Sequence, residues 1–447
     1  MLPVILVIAG LDGTVDPSVA REVQRAPKTM AVTLLAPANP SKEALVFPPT
    51  GNAYKENGAS HRVWRRIATA APDLVLIAGA DPYGLQQALE RESVAGVGRV
   101  AVRRVDAKAG FLRGVKVEAQ SEARLEMERR LARTPQQVAE QLEPIYGHDL
   151  NEAVYIPAFS LIARLRTGHQ ADVERIVAPY VTGAKDSLAK ASSSHFSGHL
   201  VFAELAERTR KPEYIARVKA AADFAFTPDG QMKESMPMHN QMSDSVFMGC
   251  PILVKAGKLT GEAKYFDMAV KHYRFMKKLD ARADGLWRHS PLDEAAWGRG
   301  DAFALLGMVL ALADLPPSHE GYSELQRDYR TLAAALSKQQ DASGMWRQVV
   351  DNPSSYLEFS ATAMIARAML VGVRKGWLPA KEFQPRIDRA WSAIKARTSA
   401  KGELIDVCES TGAQKTLADY LNRKAILGTD PRGGAMVYLF AVELLNP

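Results

Sequence analysis

The spacing of apolar positions changes along the chain and divides it into two parts. Up to about residue 110, short aliphatic runs alternate with helix-like stretches, which predicts a small, mostly parallel α/β sheet. The strands are predicted at residues 4–9, 30–35, 73–78 and 100–105, and the helices at 18–25, 61–70 and 83–91. Residues 37–57 are expected to form a loop at the carboxyl edge of the sheet, where α/β proteins bind ligands.

From Glu122 onward a helical period replaces the strand pattern. Apolar helices rich in small residues recur with centres roughly fifty residues apart, a spacing typical of repeats built from paired helices. They are predicted at residues 155–165, 198–207, 246–256, 302–312, 359–371 and 434–445. More polar helices alternate with them, and these are predicted at residues 122–142, 173–191, 214–226, 265–279, 322–336 and 383–395.

A helix that is apolar all round belongs inside a protein, and a helix with one apolar stripe belongs outside. Six inner and six outer helices therefore predict a closed α/α toroid, with an open helical solenoid as the alternative. Closure is favoured because no polar capping repeat follows the last inner helix. We expect an α/β domain over residues 1–115, a linking helix over 116–145, and the α/α barrel over 146–447.

Composition narrows the class of protein without naming a function. The 447 residues are 47% hydrophobic and 24% charged, with a net charge of +7 and no long basic run, so nucleic-acid binding is not indicated. No apolar stretch reaches the length of a membrane span. The apolar start lacks the features of a signal peptide, so we expect a cytoplasmic protein, or a periplasmic one if a signal has been removed. Cys250 and Cys408 are too few for a disulfide scaffold or a cysteine-rich metal site.

Polar residues collect just before each predicted inner helix. Inner helices of a toroid run parallel, so these segments are expected to meet at one mouth. Aromatic rings there stack on sugars and arginines pair with carboxylates, which indicates a cleft for a small oligosaccharide with an anionic uronate end. The expected binding residues at this mouth are His195, His239, Arg288, His289, Trp297, Arg299, Tyr356 and Arg432.

Asp244 stands at the threshold of the third inner helix, within His239-Asn240-Gln241-Met242-Ser243-Asp244. A carboxylate at the start of a helix is usually a cap. The alternative is an acid held at the mouth of the barrel. The sequence leaves both roles open at this point. Glu358, before the fifth inner helix, is expected to be a cap, and Arg299 is either a substrate-binding residue or an ion-pair partner of Asp293 or Glu294.

The N-terminal part faintly resembles the zinc carboxypeptidase-like deacylases. The resemblance rests on Ala9-Gly10-Leu11-Asp12-Gly13, Asn39-Pro40 and Pro72-Asp73-Leu74-Val75. That family places a zinc-binding His and Glu after the first strand, where this chain has Gly10 to Gly13. Since zinc needs imidazole or carboxylate ligands, we expect no metal, no cofactor and no hydrolysis in this domain.

The C-terminal 300 residues resemble glycoside hydrolase families 105 and 88, the unsaturated rhamnogalacturonyl and unsaturated glucuronyl hydrolases. Six ordered motifs carry the resemblance: Ser243-Asp244-Ser245-Val246-Phe247-Met248-Gly249-Cys250-Pro251, Gly285-Leu286-Trp287-Arg288-His289, Trp297-Gly298-Arg299-Gly300, Ser343-Gly344-Met345-Trp346, Ser354-Ser355-Tyr356-Leu357-Glu358, and Thr411-Gly412 with Asp430-Pro431. The resemblance implies the double α-toroid and removal of a terminal Δ4,5-unsaturated uronic acid from oligosaccharides. It implies Asp244 as the catalytic acid, and His289 and Arg299 as substrate-binding residues.

The chain departs from the family pattern at two places where substrate should lie. The head of the second inner helix has Ser192-Ser193-Ser194-His195 where the family commonly has an Asp, and Asp301-Ala302-Phe303 follows where a Trp is usual. Two alternatives therefore stay open. One is an inverting glycosidase for saturated sugars, with Asp244 paired to Asp301 or Glu358 across roughly 6.5–9.5 Å. The other is a non-catalytic carbohydrate-binding protein.

Overall fold

The N-terminal part is a four-stranded parallel sheet with helices on both faces. The computed structural model describes residues 2–51 and 58–445, so part of the predicted 37–57 loop lies outside the described residues. Its elements are β1 (Val4–Ala9), α1 (Pro17–Gln24), β2 (Ala31–Leu35), α2 (Gly58–Ala70), β3 (Leu74–Ala78), α3 (Leu85–Arg91) and β4 (Ala101–Val105). The strand order is β2-β1-β3-β4. Alternate residues of β1 enter separate hydrophobic cores on the two faces, which explains why the strand is apolar throughout.

The helix predicted over residues 122–142 is two helices, α4 (Glu122–Ala132) and α5 (Pro135–Leu142). Pro135 has no N–H for a continuing helix, and Thr134 instead starts α5 with a capping box to Gln137. Because of the break, the two helices pack on different hydrophobic cores. Met127 of α4 lies in the core of the α/β part, whereas Val138 of α5 lies in the core of the helical part.

The remaining helices are α6 (Tyr155–Arg166), α7 (Gln170–Val181), α8 (Ser193–Gly198), α9 (Leu200–Thr209), α10 (Pro212–Ala222), α11 (Ser245–Thr260), α12 (Lys264–Asp280), α13 (Gly298–Asp314), α14 (Tyr322–Lys338), α15 (Phe359–Arg374), α16 (Ala380–Ala396), α17 (Leu417–Leu421) and α18 (Pro431–Leu445). The inner positions are taken by α6, α8 with α9, α11, α13, α15 and α18, and the outer ones by α5, α7, α10, α12, α14 and α16. Each inner helix packs on the next, and α18 packs on α6. The ring is closed, which confirms the predicted toroid.

Aromatic side chains fill the axis of the ring. Tyr155, Phe159, Phe247 and Phe303 come from three inner helices, and the Phe247 and Phe303 ring centroids lie 5.3 Å apart. Phe303 belongs to the segment where a Trp was expected from the family, so that departure has a packing role. Although the inner helices are strongly apolar, no helix in the described ranges is both long and apolar enough to cross a membrane. The cytoplasmic location stays a prediction.

Two hairpins interrupt the helical repeats, and neither was predicted. One pairs β5 (Trp346–Arg347) with β6 (Leu357–Glu358), and the other pairs β7 (Glu403–Cys408) with β8 (Ala425–Thr429). The β7–β8 hairpin links the two parts of the chain. Ile405 enters the core of the α/β part, and Asp406 forms an ion pair of 3.1 Å with Arg65 of α2.

Gly307 sets how closely two inner helices approach. A Cβ atom at this position would lie 2.5 Å from the backbone nitrogen of Phe247 on α11. We therefore expect Gly307→Ala to force α11 and α13 apart and to lower the free energy of unfolding by about 1–3 kcal/mol, measured by urea titration. The control is Gly412→Ala, because a Cβ there meets no atom within 4 Å. Equal stability of the two variants would contradict the close approach.

Candidate active site

Asp244 does not act as a helix cap. It occupies the residue before α11, but its carboxylate accepts no capping hydrogen bond from the described backbone of that helix. Only 8% of the residue is exposed. Glu358 shows the contrast, because its carboxylate accepts from the backbone of Ser360 and Ala361 and caps α15 as predicted. The prediction that Asp244 is a helix cap, which is the commoner role for such a residue, is therefore wrong for its side chain. The carboxyl group is available for another function.

His289 is the partner of Asp244. Its Nε2 lies 3.1 Å from the Asp244 Oδ2, although the two atoms are not aligned as a hydrogen bond. On the other side of the ring, Nδ1 lies 2.8 Å from the Tyr420 hydroxyl. That hydroxyl accepts from the Gln414 backbone, so we assign its own proton to the bond with Nδ1. In this tautomer the Nε2 proton of a neutral His289 faces Asp244.

Burial keeps this pair in a fixed environment. His289 is fully buried, and its ring lies against Trp297 with centroids 4.3 Å apart. Burial also raises the pKa of Tyr420 to about 12, so its hydroxyl stays protonated. A fixed imidazole beside a fixed carboxyl is the arrangement that general acid–base chemistry needs.

Several buried polar atoms around Asp244 form no hydrogen bond with the described residues. They are the Ser243 Oγ, the Asp244 Oδ2, the His289 Nε2 and the Trp297 Nε1. Gly300 lets them gather, since a Cβ there would meet the Ser243 Oγ at 2.7 Å and the His289 ring at 3.3 Å. Buried polar groups without hydrogen bonds are rare in folded proteins, so this cluster is a candidate for binding a polar ligand.

The backbone just before Asp244 is strained. Met238, Asn240 and Gln241 have positive φ angles of 63°, 49° and 52°. Residues other than glycine adopt this conformation at a cost of about 1–2 kcal/mol each, although Asn tolerates it better. Such strain concentrates at functional sites, and here it lies in the segment that positions Asp244.

Arg299 is held by the protein. Its Nη1 donates to the Ser360 Oγ at 3.0 Å and to the Cys408 carbonyl at 2.8 Å, and its Nη2 donates to the Glu409 carbonyl at 2.8 Å. The guanidinium also lies 4.6 Å from the Trp297 ring centroid. The ion pair considered with Asp293 or Glu294 is absent from the described contacts. Arg299 ties the end of β7 to the mouth, and few of its donors are left for a substrate.

Arg432 and Tyr155 lie at the same mouth. Arg432 uses its Nη1 for the Cys408 carbonyl at 3.2 Å, and Asp430 lies 3.6 Å away. Tyr155 is nearly buried at the head of α6. Its hydroxyl forms a hydrogen bond with Arg432, and its pKa also depends on the charges of Arg299 and Asp244. Burial is the main cause that raises the pKa of Tyr155. Tyr155 is not among the predicted site residues, although an aromatic residue that opens an inner helix is a usable signal.

The other predicted binding residues are spread around the mouth. Arg288 pairs with Glu294 and donates to the Leu279 carbonyl, so its described contacts turn away from Asp244. His239 lies against Phe275, His195 hydrogen-bonds Ser192 at 2.7 Å, and Tyr356 packs beside Trp297 and Tyr420. Burial lowers the pKa of both His195 and His239. These four residues therefore lie outside the central group. That group consists of Asp244, His289, Trp297, Arg299 and Arg432, which are linked by direct contacts or through the Cys408 carbonyl.

Both carboxylates considered as partner acids for Asp244 accept hydrogen bonds from the backbone. Glu358 caps α15 and also accepts from the Cys408 backbone at 2.8 Å. Asp301 is fully buried, accepts from the Trp287 backbone at 2.8 Å, and has a pKa raised well above its usual value, mainly by burial. The structure thus offers little support for a two-carboxylate inverting mechanism.

Asp280 is a further acid that no sequence pattern indicated. It ends α12, is fully buried, and both carboxyl oxygens lack a partner among the described residues. Burial is the main cause that raises its pKa to about 8, Arg288 opposes the rise, and the charge of Asp244 adds to it. No group of three or more His, Cys, Asp or Glu residues in the described part of the chain is placed to hold a metal ion.

Comparisons with known proteins agree with this architecture. The sequence model of Glycosyl Hydrolase Family 88 matches residues 170–446, which is more than half of the chain. Protein Atu3128 of Agrobacterium fabrum is 27% identical over 231 residues, covering 44% of this chain and 99% of that protein. The unsaturated rhamnogalacturonyl hydrolase YesR of Bacillus subtilis is 25% identical over 186 residues, covering 40% of this chain and 52% of that protein.

Solved structures show the same fold. A family 105 glycoside hydrolase of C. acetobutylicum superposes with a TM-score of 0.57 at 20% identity, covering 70% of this chain and 99% of that one. The closed helical toroid with an acid–imidazole pair at its mouth is that of a glycosidase. The chain belongs to glycosyl hydrolase family 88, which confirms the predicted resemblance. The family match starts at residue 170, so the faint likeness of the α/β part to zinc carboxypeptidase-like proteins stays a prediction.

Asp280 makes the stability of the protein depend on pH. Its folded pKa is about 8, whereas an unfolded Asp titrates near 4. Between these values only the folded state holds the proton, so the free energy of unfolding falls as pH rises, by at most about 1.4 kcal/mol per pH unit. We expect Asp280→Asn to be more stable than wild type, with a gain that grows from pH 5 toward pH 8 in thermal melts. The exposed Asp284→Asn is the control, and a gain independent of pH would contradict the assignment.

Proposed function

We propose that the protein removes a terminal Δ4,5-unsaturated uronic acid from an oligosaccharide, with Asp244 as general acid and base. The observation that carries the proposal is the buried Asp244 carboxyl group, which does not cap α11 and lies 3.1 Å from the His289 Nε2. The polar atoms around it form no hydrogen bonds with the described residues. Membership of the family and the activity in the name of YesR support the choice of substrate.

The chemistry needs only one acid to start. The C4=C5 double bond of such a uronate is a vinyl ether through the ring oxygen. Asp244 gives its proton to C4, and the electron pair of the double bond forms the new C4–H bond, which leaves an oxocarbenium-like centre at C5. Water adds at C5 and returns a proton to Asp244. The C5 hemiketal then opens, and the aglycone leaves from the resulting hemiacetal at C1.

The neighbours of Asp244 have separate roles in this proposal. His289, fixed by Tyr420 and Trp297, orients the Asp244 carboxyl through its Oδ2. Arg432 and Tyr155 bind the uronate carboxylate, because Arg432 has donors that the described contacts do not use and a protonated Tyr155 hydroxyl lies beside it. Arg299 contributes positive charge and holds the Cys408 and Glu409 carbonyls in place.

Asp244→Asn keeps the shape of the side chain but removes its proton. We expect the variant to fold and bind substrate, but to lose activity by a factor of at least ~10²–10⁴, since this is what general acid–base catalysis contributes. The measurement is the fall in ultraviolet absorbance as the double bond of an unsaturated disaccharide is consumed.

Asp229→Asn, on an exposed turn of the segment before α11, is the matched control and should behave as wild type. If folded Asp244→Asn kept about a tenth or more of the wild-type kcat, Asp244 would not be the general acid. Turnover of saturated aryl glycosides by wild type, without loss of the double bond in the disaccharide, would favour the inverting mechanism instead.

A pair of Arg-to-Lys variants separates substrate binding from scaffolding. Lys keeps the charge but lacks the two-point fork for a carboxylate. We expect Arg432→Lys to raise KM about tenfold or more, which corresponds to about 1.4 kcal/mol of binding. Its melting temperature should fall less than that of Arg299→Lys, because Arg432 makes fewer hydrogen bonds within the chain. Arg299→Lys should lower the melting temperature, because it loses hydrogen bonds to Ser360, Cys408 and Glu409. If Arg299→Lys kept its full stability but had a raised KM, and Arg432→Lys had the KM of wild type, Arg299 would be the residue that binds the uronate carboxylate.

A further inference from the structure

His272 lies on the outer helix α12 and is fully buried. Its Nδ1 accepts a hydrogen bond from the Met236 backbone nitrogen at 3.2 Å, and its Nε2 lies 2.8 Å from the Ser245 carbonyl. A backbone N–H can only donate and a carbonyl can only accept, so these two partners assign the tautomer of the ring. Nδ1 is the acceptor, and Nε2 carries the proton.

The two bonds of His272 hold both ends of one backbone segment. Residues 237–244, here called the Asp244 segment, run between the two bonded positions and end on the acid itself. The positive φ angles of Met238, Asn240 and Gln241 all fall within it. Residues other than glycine persist in this conformation only where the surrounding structure holds them. A single imidazole therefore fastens the strained segment that carries Asp244.

Further hydrogen bonds connect the Asp244 segment to its surroundings. The His239 carbonyl accepts from the Ser245 hydroxyl at 2.8 Å, which joins the middle of the segment to the start of α11. The Ser243 N–H donates to the His289 carbonyl at 2.9 Å. The segment is thus bonded to the residue whose imidazole faces Asp244, and a shift of its ends would change the geometry of that pair.

Gly249 makes room for the His272 ring. A Cβ atom at this position would lie 2.7 Å from both the Cδ2 and the Nε2 of His272, and 3.2 Å from the Met236 Cβ. Gly249 stands one turn beyond Ser245 on α11. The absence of a side chain there lets an imidazole from an outer helix reach the backbone at the head of an inner helix.

The surroundings keep His272 neutral. Burial lowers the pKa of His272 to about 4, the bond to the Ser245 carbonyl opposes this shift, and the charge of His239 adds to it. Neutrality is required, because a protonated imidazole has no acceptor for the Met236 N–H. A ring that is neutral near pH 7 and bonds the backbone through both nitrogens acts by position rather than by proton transfer.

We propose that His272 is a positioning residue, which holds the ends of the Asp244 segment so that the Asp244 carboxyl group meets the His289 imidazole in one geometry. Its effect on turnover rests on the proposed function, whereas its effect on the segment does not. Displacement of a catalytic group by about 1 Å can cost roughly 10²-fold in rate, so a buried residue without substrate contact can have a large effect on kcat.

Two substitutions separate the hydrogen bonds of His272 from its volume. Met fills a similar space without a strong donor or acceptor, whereas the Gln amide can accept from the Met236 N–H and donate to the Ser245 carbonyl. We expect His272→Met to lower kcat on an unsaturated disaccharide about 10²-fold with KM within about twofold of wild type. His272→Gln should recover about tenfold or more of this loss.

His199→Met is the matched control. His199 is an equally buried imidazole, and its nitrogens contact the Ser187 hydroxyl and the His195 carbonyl at 2.9 Å and 2.7 Å. Loss of this ring should lower the melting temperature as His272→Met does, but leave kcat near that of wild type. Gly249→Ala is a second variant, because it displaces the His272 ring without removing it, and its kcat should lie between those of wild type and His272→Met.

Amide hydrogen exchange, followed by mass spectrometry of peptides that cover residues 236–245, tests the proposal without turnover. Exchange in these peptides should be about tenfold or more faster in His272→Met than in wild type, slower again in His272→Gln, and unchanged in His199→Met. If wild type does not consume the disaccharide, the proposed function fails, while faster exchange in His272→Met still supports the positioning role.

Equal exchange in wild type and His272→Met would overturn the proposal. So would a His272→Met enzyme with a lower melting temperature but the kcat of wild type, since His272 would then only stabilise the fold. A loss of kcat in His199→Met as large as that in His272→Met would also overturn it, because any buried imidazole would then have the same effect.

Discussion

Closure of the inner ring is the constraint on which the site depends. The packing of α18 on α6 brings the heads of all inner helices to one mouth. Tyr155, Asp244, Arg299 and Arg432 each stand at or within one turn of such a head, and they are up to 277 residues apart in the sequence. In an open solenoid the first and last helices would lie far apart, and Tyr155 would not meet Arg432.

The β7–β8 hairpin completes the mouth and ties it to the α/β part. Glu358 caps α15 and also accepts from the Cys408 backbone, while Arg299 and Arg432 both donate to the Cys408 carbonyl. Two residues earlier, Asp406 reaches Arg65 across the boundary between the parts. It adopts a φ of 72° at an irregularity in the strand, which turns its side chain away from the alternation of its neighbours. One strand thus contacts the candidate active site through Cys408 and helix α2 of the α/β part through Asp406.

The site uses few carboxylates, and each has a distinct environment. Glu358 is held by backbone donors, Asp301 and Asp280 are buried with raised pKa values, and Asp244 lies beside the His289 imidazole. At the head of the second inner helix, where the family commonly has an Asp, Ser192 and His195 form a hydrogen bond. Protonation of a vinyl ether needs one acid, and Asp244 is the carboxyl group that lies beside the His289 imidazole.

The sequence by itself determined the fold class and most of the helices and strands, because their signals are local. Short apolar runs predicted β1 to β4, and the helical period of apolar residues predicted the two rings of helices. Both patterns are visible because the residues that an element buries recur at short, regular intervals in the sequence. It also singled out Asp244 and His289 through motifs. Only the tertiary structure decided which carboxylate is a cap, that Arg299 is held by hydrogen bonds within the chain, and that Tyr420 contacts His289. Those roles depend on contacts such as His289 with Tyr420 and Arg299 with Cys408, across 131 and 109 residues, and no local pattern encodes a partner at that distance.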